Sequence, residues 1–481
     1  MLVILGFGMV AVFMALIMTK RMTPVLALIV VPTIFGLFAG AGLGIGDMAL
    51  DAIGGLAPTA ALLMFAIIYF GVMIDVGLFD PVVRLILRIA GHDPVKVVVG
   101  TALLAAVISL DGDGSTTFIV TTSALLPIYL RLGLSPVVLT CVAGLANGVM
   151  NILPWGGPTA RAAAALDLQA SDVFVPMIPS LLAGIAVVFL FAWHLGVFER
   201  KRLGGAIDDA ALGGAAAGGA SRSGRSAGGR PSRSAGPRGV VIADHRISTE
   251  SIRTLVDDHD TAMADTALDP ARATLRPKLL WFNALLTVAV MVLLVLDILP
   301  LAYIFMAASA VAILVNFPHV KDQAERVVAH APSIVGVVSM VLAAGVLIGV
   351  LEGTGMVTAM AEWVSASIPD SLGSFSAVIT GLLSMPMTFF LSNDAFYFGI
   401  LPVLAESAAT FGVDPVDMAR ASITGQVVHM QSPLVPAILL LVSLAGVHLG
   451  DHHKKVLWRA VVVSLVMLLV AVLVGAVALG A

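Results

Sequence analysis

Two carboxylates lie among glycines and hydroxyl side chains in the run from Ser109 to Phe118. Asp111 and Asp113 carry the hard oxygen ligands that magnesium and calcium prefer, and a buried carboxylate can alternatively carry a proton. The sequence does not indicate which carboxylate binds a metal ion and which carries a proton. The remaining positions of an EF-hand loop are absent, so an EF-hand is not expected. The hydroxyl triplet 115–117 follows where a helix restarts, so it predicts either an anion site at the helix N-terminus or simple capping.

A second polar break, Ser392-Asn393-Asp394, interrupts an apolar stretch in the other half of the chain. Asp394 is the counterpart of the first carboxylates and predicts a role with a metal ion or a proton. His429 lies in a further polar break and titrates near physiological pH, so it is either a proton carrier or a satisfied packing residue. The side chains predicted for metal or proton coupling are Asp111, Asp113, Asp394 and His429.

A break rich in proline and glycine, from Asn147 to Arg161, holds further candidates. Its prolines remove backbone donors, while Gly156 and Gly157 allow a ligand to approach the backbone closely. Arg161 either pairs with a carboxylate of the substrate or marks the cytoplasmic end of a span, and the second interpretation is preferred. The predicted substrate-binding residues are Ser115, Thr116, Thr117, Asn147, Asn151, Gly156, Gly157, Ser392 and Asn393.

The rest of the chain has the composition of a membrane protein. Of its 481 residues, 59% are hydrophobic and only 12% are charged, whereas soluble proteins carry about 25% charged residues. Irregular polar backbone is tolerated at membrane depth only where protein or a watery cavity satisfies it, so the breaks predict a functional site. The sequence contains no basic domain of the kind that nucleic acid needs, and a nucleic-acid partner is not expected.

The two halves of the chain repeat the same order of elements. Each has a span, a glycine-rich turn, a short amphipathic segment, a polar break, a helix that starts at proline and a second polar break. Landmarks recur 279 positions later, with Pro136, Asn147 and Pro154 matching Pro415, Gln426 and Pro433. We therefore expect an all-α polytopic membrane protein of two inverted repeats, each with a re-entrant helical hairpin and an unwound helix.

The expected domain boundaries follow the composition. Residues 1–197 form the N-terminal membrane half, with a hairpin near 97–126, and residues 278–481 form the C-terminal half, with a hairpin near 372–411. The intervening segment 198–277 is rich in Gly, Ala, Ser and Arg and lacks a hydrophobic period, which predicts a disordered linker. Basic flanks of the spans place this linker in the cytoplasm and both termini outside.

The runs from Ser109 to Phe118, from Ala146 to Arg161 and from Leu391 to Phe396 resemble the bacterial metal-citrate/proton symporters, the CitMHS family of the ion-transporter superfamily. The resemblance spans nearly the whole chain apart from the linker. It implies import of citrate complexed with Mg²⁺ or Ca²⁺, driven by a proton gradient, without a permanently bound cofactor. It also implies a multi-pass protein of the bacterial inner (plasma) membrane whose partners are the citrate-metal complex and the lipid bilayer.

Wider similarity to the divalent-anion/sodium symporters implies a homodimer with a scaffold domain and a moving transport domain. Those relatives carry Ser-Asn-Thr at the hairpin tips. The tips of this chain are Asp-Gly-Asp-Gly-Ser-Thr-Thr and Ser-Asn-Asp, which fit a metal-bound substrate or protons better than sodium, and whether sodium contributes stays open. A related superfamily member that carries a dicarboxylate or arsenite stays open as an alternative. Free citrate would be repelled by the carboxylates, which favours a metal-neutralised cargo.

An enzyme is not expected. An intramembrane enzyme needs a nucleophile and a base in register, or a metal motif such as HExxH, and the sequence contains neither. Away from the breaks, Asp75 and Glu352 stand at the ends of corresponding spans and are expected to be solvated at the interface. His452 and His453 are expected to lie in a loop.

Overall fold

The computed structural model describes residues 1–19, 21–90, 93–112, 114–217, 272–296 and 298–479. The regular elements in these ranges are all helices, which confirms the all-α prediction. Six helical segments of the described chain are long and apolar enough to cross a membrane: Gly42–Asp75, Pro94–Asp111, Ala170–Gly204, Pro277–Leu296, Ala331–Gly353 and Leu449–Leu473. The chain is therefore a multi-pass membrane protein.

The first half contains ten α-helices in its described part. They are α1 (Leu2–Met18), α2 (Pro24–Phe38), α3 (Ile45–Asp75), α4 (Asp80–Ala90), α5 (Pro94–Ile108), α6 (Gly114–Leu132), α7 (Pro136–Met150), α8 (Gly157–Ala165), α9 (Ala170–Phe174) and α10 (Ile178–Ala217). Helices α5 and α6 form hairpin 1, whose tip includes a short 3-10 turn, Ser109–Asp111, and the left-handed Gly112 (φ +79°).

The second half follows the same order. Its α-helices are α11 (Leu280–Leu296), α12 (Leu301–Asn316), α13 (Val320–Ala329), α14 (Ala331–Gly353), α15 (Met356–Ser365), α16 (Asp370–Gly373), α17 (Ser376–Phe390), α18 (Leu401–Ala409), α19 (Pro415–Ile423), α20 (Gln426–His429), α21 (Pro436–Leu444) and α22 (Leu449–Leu473). Hairpin 2 consists of α17 and α18, which are joined by residues 391–394 and a π-helix, Ala395–Ile400.

Matching landmarks of the two halves have matching local geometry. Pro136 begins α7 and Pro415 begins α19, and proline suits a first helical position because the N–H there has no intrahelical partner. Gly77 and Gly355 follow α3 and α14, and both have left-handed backbones with φ of +87° and +71°. These correspondences support the predicted repeat, while its inverted topology stays a prediction.

Helices α3 and α14 pack closely along a row of glycines. Gly345, Gly349 and Gly353 recur every four residues on α14, so they lie on one face. A Cβ atom at Gly349 would overlap the carbonyl oxygen of Met48 on α3, and one at Gly345 would lie 2.6 Å from Ile53 Cγ1. Small residues at this spacing let two backbones approach, and here they join corresponding helices of the two halves.

Both ends of the predicted linker contact the membrane halves. Helix α10 continues past residue 198 to Ala217, and the buried Glu199 on it accepts a hydrogen bond from the Ser135 amide at 3.0 Å. At the other end, Arg272 donates to the backbone oxygens of Asp75 and Ile74, each at 2.9 Å. The remainder of the predicted linker, residues 218–271, lies outside the described residues.

Two expectations about polar residues away from the breaks are wrong. Asp75 is 2% exposed rather than solvated, and its Oδ2 lies 3.2 Å from both Arg326 Nη1 and His330 Nε2. His452 and His453 lie in the first turns of α22 rather than in a loop. Both differences arise because tertiary partners stabilise polar groups that sequence hydropathy assigns to an interface or a loop.

Candidate functional site

The polar breaks of the two halves converge on one cavity of about 420 Å³. Residues from hairpin 1, hairpin 2, the break after α7 and the break after α20 line it, and α3 and α14 close the remaining side with mainly small and apolar residues. The charged, amide, hydroxyl and imidazole side chains on its wall from these breaks are Asp111, Ser115, Asn151, Arg161, Ser392, Asn393, Asp394 and His429. Residues far apart in sequence therefore share one polar chamber.

An ion pair between Arg161 and Asp394 joins the two halves at this cavity. Arg161 Nε donates to Asp394 Oδ1 at 2.6 Å, and the two side chains are only 17% and 9% exposed. The pair forms because α8 starts at Gly157, which places Arg161 one turn inside the helix and next to the tip of hairpin 2. The preferred interpretation of Arg161 as the marker of a span end is therefore wrong.

Hairpin 1 is held from behind by a chain of polar side chains. Asn147 Nδ2 donates to Ser109 Oγ at 3.0 Å, and Ser109 Oγ lies 3.1 Å from Thr117 Oγ1. Asn147 and Thr117 are buried and do not line the cavity. Thr116 lines a separate cavity of about 330 Å³ beside α4. Of the hydroxyl triplet, only Ser115 reaches the central cavity wall.

Hairpin 2 is held by the corresponding position of its own half. Gln426, 279 positions after Asn147, exchanges amide hydrogen bonds with Asn393 at 3.1 and 3.3 Å. Gln426 Nε2 also donates to the Tyr397 hydroxyl at 2.9 Å. In both halves an amide on the broken helix therefore fixes the hairpin tip, and Asn393 stays on the cavity wall.

The two adjacent glycines of the first half have different surroundings. Gly156 is absent from the cavity lining, and a Cβ there would overlap the Asn151 carbonyl oxygen, so its size serves the tight turn before α8. Gly157 does line the cavity, and a Cβ there would lie 2.5 Å from Arg161 Nη1. Its missing side chain leaves room for the guanidinium group.

His429 lies on the cavity wall with a defined hydrogen-bond partner. Its Nδ1 is 2.6 Å from the Thr388 carbonyl oxygen. Because a carbonyl oxygen only accepts, Nδ1 carries the hydrogen, and Nε2 of the neutral ring holds the lone pair. Asp111 lies on the opposite hairpin tip and is 7% exposed, while Asp113 lies outside the described residues.

Trp155 is a residue of the site that sequence reasoning missed. Its Nε1 donates to the Leu110 carbonyl at 2.8 Å, and its ring packs against Phe70 and Phe305 with centroids 5.3 and 5.0 Å apart. It thus fastens the tip of hairpin 1 to α3 and α12. The signal available in the sequence was an indole between Pro154 and Gly156, because a buried indole N–H needs an acceptor.

The cavity combines opposite charges with neutral polar groups. Among its described lining residues, Arg161 is the cation, Asp111 and Asp394 are the carboxylates, and amides and hydroxyls supply hydrogen bonds. The described part of the chain brings no three His, Cys, Asp or Glu side chains together as a metal site. A ligand that offers carboxylates to Arg161 and positive charge to Asp111 would match this arrangement.

Comparisons with known proteins identify the family. The profile of CitMHS, described as citrate transporter, matches residues 5–425. A protein of Bacillus subtilis (strain 168) named citrate transporter is 47% identical over 476 residues, which cover 99% of each chain. Another from the same strain, named Mg(2+)/citrate complex secondary transporter, is 42% identical over 480 residues and the full length of both chains.

Among solved structures, the Alcanivorax borkumensis YdaH transporter, described as having an unusual topology, matches at 15% identity with a TM-score of 0.45. The match covers 90% of this chain and 89% of that one. The family and its relatives are transporters, which confirms the expectation that the chain is a transporter and not an enzyme. As its resemblance indicated, the chain belongs to the CitMHS family of citrate transporters.

Proposed function

We propose that this protein is a secondary active transporter that imports citrate complexed with a divalent cation of the Mg²⁺ or Ca²⁺ type, coupled to protons. The observation that supports it most is the mixed charge of the central cavity, where Arg161 and Asp394 pair and Asp111 lies on the wall. The names of the two Bacillus relatives point to the same substrate.

Charge favours the complex over free citrate as cargo. The citrate trianion would enter a cavity whose described carboxylates, Asp111 and Asp394, outnumber its one arginine, and like charges repel strongly where water is scarce. A bound divalent cation leaves citrate with one net negative charge. The cation, which the chain carries as substrate, would take most of its oxygen ligands from citrate and water and few from the protein.

We assign roles by position on the cavity wall. Arg161 and the side chains of Ser115, Asn151, Ser392 and Asn393 hold the citrate oxygens. Asp111 faces the cation, and Asp394 and His429 serve the coupled proton. Asp113, which lies outside the described residues, stays a candidate for the cation or the proton on sequence grounds alone. Asn147, Thr116, Thr117 and Gly156 support these groups from behind, and Gly157 gives Arg161 its space.

The transport cycle we propose is alternating access by two inverted repeats. One scaffold domain and one moving transport domain form each subunit of a homodimer in the bacterial plasma membrane. The common cavity between breaks of both halves supports this mechanism, because a site near the midplane at a repeat interface can open to either side.

Uptake of radiolabelled citrate into proteoliposomes tests the function. With an inward proton gradient, we expect uptake in the presence of magnesium or calcium and loss of uptake with a chelator. Asp111→Asn should lose uptake. Asp417→Asn, which removes a carboxylate that pairs with Arg420 outside the cavity, should transport normally. Citrate uptake that survives the chelator would contradict the metal complex, and uptake of succinate or arsenite in place of citrate would contradict the substrate.

A further inference from the structure

We infer that the Arg161–Asp394 ion pair is exchanged during transport, so that a substrate carboxylate takes over Arg161 and the released Asp394 takes up the coupled proton. This inference rests on the proposed function and names the residues that link substrate binding to proton binding. It makes Arg161 the substrate anchor and Asp394 the proton carrier of the same site.

The guanidinium group of Arg161 has further hydrogen-bond donors that could bind a substrate carboxylate. A guanidinium group has five N–H donors, and in the described structure the contact with Asp394 uses only Nε. The group lies on the cavity wall, where Nη1 occupies the room that a side chain at residue 157 would fill. The remaining edge of the guanidinium can therefore bind a carboxylate through two parallel hydrogen bonds, which is the geometry that arginine favours.

Arg161 supplies the counter-charge of Asp394 within the described residues. It is 7% exposed and stands directly before the π-helix of hairpin 2, and within the described residues Arg161 is the cation at salt-bridge distance from it. The other titratable groups on this cavity are Asp111 from hairpin 1, which adds negative charge, and His429, whose Nδ1 donates to the Thr388 carbonyl. Once Arg161 turns to the substrate, a buried carboxylate without a counter-charge favours its protonated form.

The exchange conserves charge. In the empty site the arginine cation and the aspartate anion cancel. In the loaded site the arginine cancels the single negative charge of the metal-citrate complex, and a proton taken from water forms an O–H bond on Asp394 and makes it neutral. Moving net charge through a medium of low dielectric is costly. The exchange avoids this cost, because the net charge of Arg161, Asp394 and the bound complex together is zero both in the empty site and in the loaded site.

Two transport assays on one set of variants separate coupling from binding. The first measures exchange of external labelled citrate for internal citrate, with Mg²⁺ and equal pH on both sides. The second measures accumulation driven by a pH gradient, where one proton per complex supports at most about tenfold accumulation per pH unit. We expect wild type to perform both, Asp394→Asn to exchange but not accumulate, and Arg161→Gln to lose both.

Two conservative variants show whether a loss of transport comes from the lost side-chain role or from misfolding. Arg161→Lys keeps the charge but not the paired donors, so we expect a raised KM with unchanged accumulation per pH unit, and Asp394→Glu should keep coupling. Accumulation by Asp394→Asn at the wild-type level would overturn the inference, as would loss of exchange by a monodisperse Asp394→Asn. Wild-type protein that moves no citrate in either assay would instead overturn the proposed function.

Discussion

Replacing Gly157 with alanine should displace the Arg161 guanidinium while leaving the fold intact. The new Cβ would lie 2.5 Å from Arg161 Nη1, and relaxed non-bonded contacts need about 3.5 Å. The guanidinium must therefore shift by about 1 Å, which takes the 2.6 Å contact with Asp394 to the limit of a hydrogen bond. Gly157 is not one of the glycines with a left-handed backbone, so an alanine there does not need to adopt a positive φ.

The size of the effect follows from the displacement of the guanidinium from the place where it would bind the substrate carboxylate. Hydrogen bonds to charged groups contribute about 1.5–3 kcal/mol, and a shift of about 1 Å should forfeit roughly half of the bond between Arg161 and the substrate. We expect the KM for citrate with Mg²⁺ to rise roughly four- to tenfold in the proteoliposome assay, at about 1.4 kcal/mol per tenfold change. The Tm of the purified protein in detergent should change by only a few degrees.

The neighbouring glycine provides the matched control. A Cβ at Gly156 would overlap the Asn151 carbonyl oxygen and lie 2.9 Å from that of Leu153, and backbone atoms cannot rotate away. We expect Gly156→Ala to be severely destabilised, by about 3 kcal/mol. A folded Gly156→Ala with weakened citrate binding would instead support ligand approach at this glycine.

A double-mutant cycle tests whether Gly157 acts through Arg161. Lysine lacks the terminal guanidinium nitrogens that a Cβ at residue 157 would meet. Gly157→Ala should therefore add little to Arg161→Lys, whereas independent sites would show additive effects on KM. An unchanged KM in Gly157→Ala, or additive effects in the double variant, would refute the reasoning.

Three further predictions concern stability, each read as the Tm of the purified protein in detergent. Asp75→Asn breaks the buried pair with Arg326 and should cost about 3 kcal/mol; an unchanged Tm would contradict this. The Arg200 guanidinium lowers the pKa of Asp93, which also caps α5, so Asp93→Ala should cost about 1 kcal/mol and Asp93→Asn less. The stability advantage of wild type over Asp93→Asn should be complete at neutral pH and disappear as the pH falls below 3.8, because the pKa of Asp93 is lower in the folded state than in the unfolded chain. A Tm difference that does not change with pH would argue against the ion pair. His452→Leu removes the partner of buried polar atoms of Thr140 on α7 and Gln431 in the break after α20 and should cost about 2 kcal/mol, while the exposed Lys454→Ala serves as the control.

The breaks could be located from the sequence because apolar helices cannot continue through such residues. Proline removes a backbone donor and aspartate is costly in hydrocarbon, so Asp111, Pro154, Asp394 and Pro433 each interrupt a helical period visible in one dimension. Helix starts at Pro136 and Pro415 were predictable for the same local reason. The all-helical fold follows from this pattern together with the hydropathy.

The side chains that pair across the cavity could not be predicted. Helical periodicity shows where each break lies along its helix, but not which breaks face each other in the folded protein. Arg161 and Asp394 are 233 positions apart, and an arginine after an apolar run is ordinarily interfacial. His452 was assigned to a loop because the start of α22 is polar, yet its ring is 0% exposed and bridges Gln431 and Thr140 at 3.1 Å on either side. Such pairings depend on tertiary packing alone.

The two halves of the chain have matching backbone elements around the cavity but different side chains at some matching positions, so the two sides of the cavity are not equivalent. Asn147 and Gln426 occupy matching positions and both fix a hairpin tip. The position that matches Arg161 in the second half is Leu440, which packs against Ile119 of hairpin 1. Because the backbone elements repeat but the arginine does not, a bound ligand meets positive charge at one place only among the described lining residues. A metal-citrate complex, with carboxylates on one side and a cation on another, would therefore bind in a single orientation, as the exchange of partners at Arg161 requires.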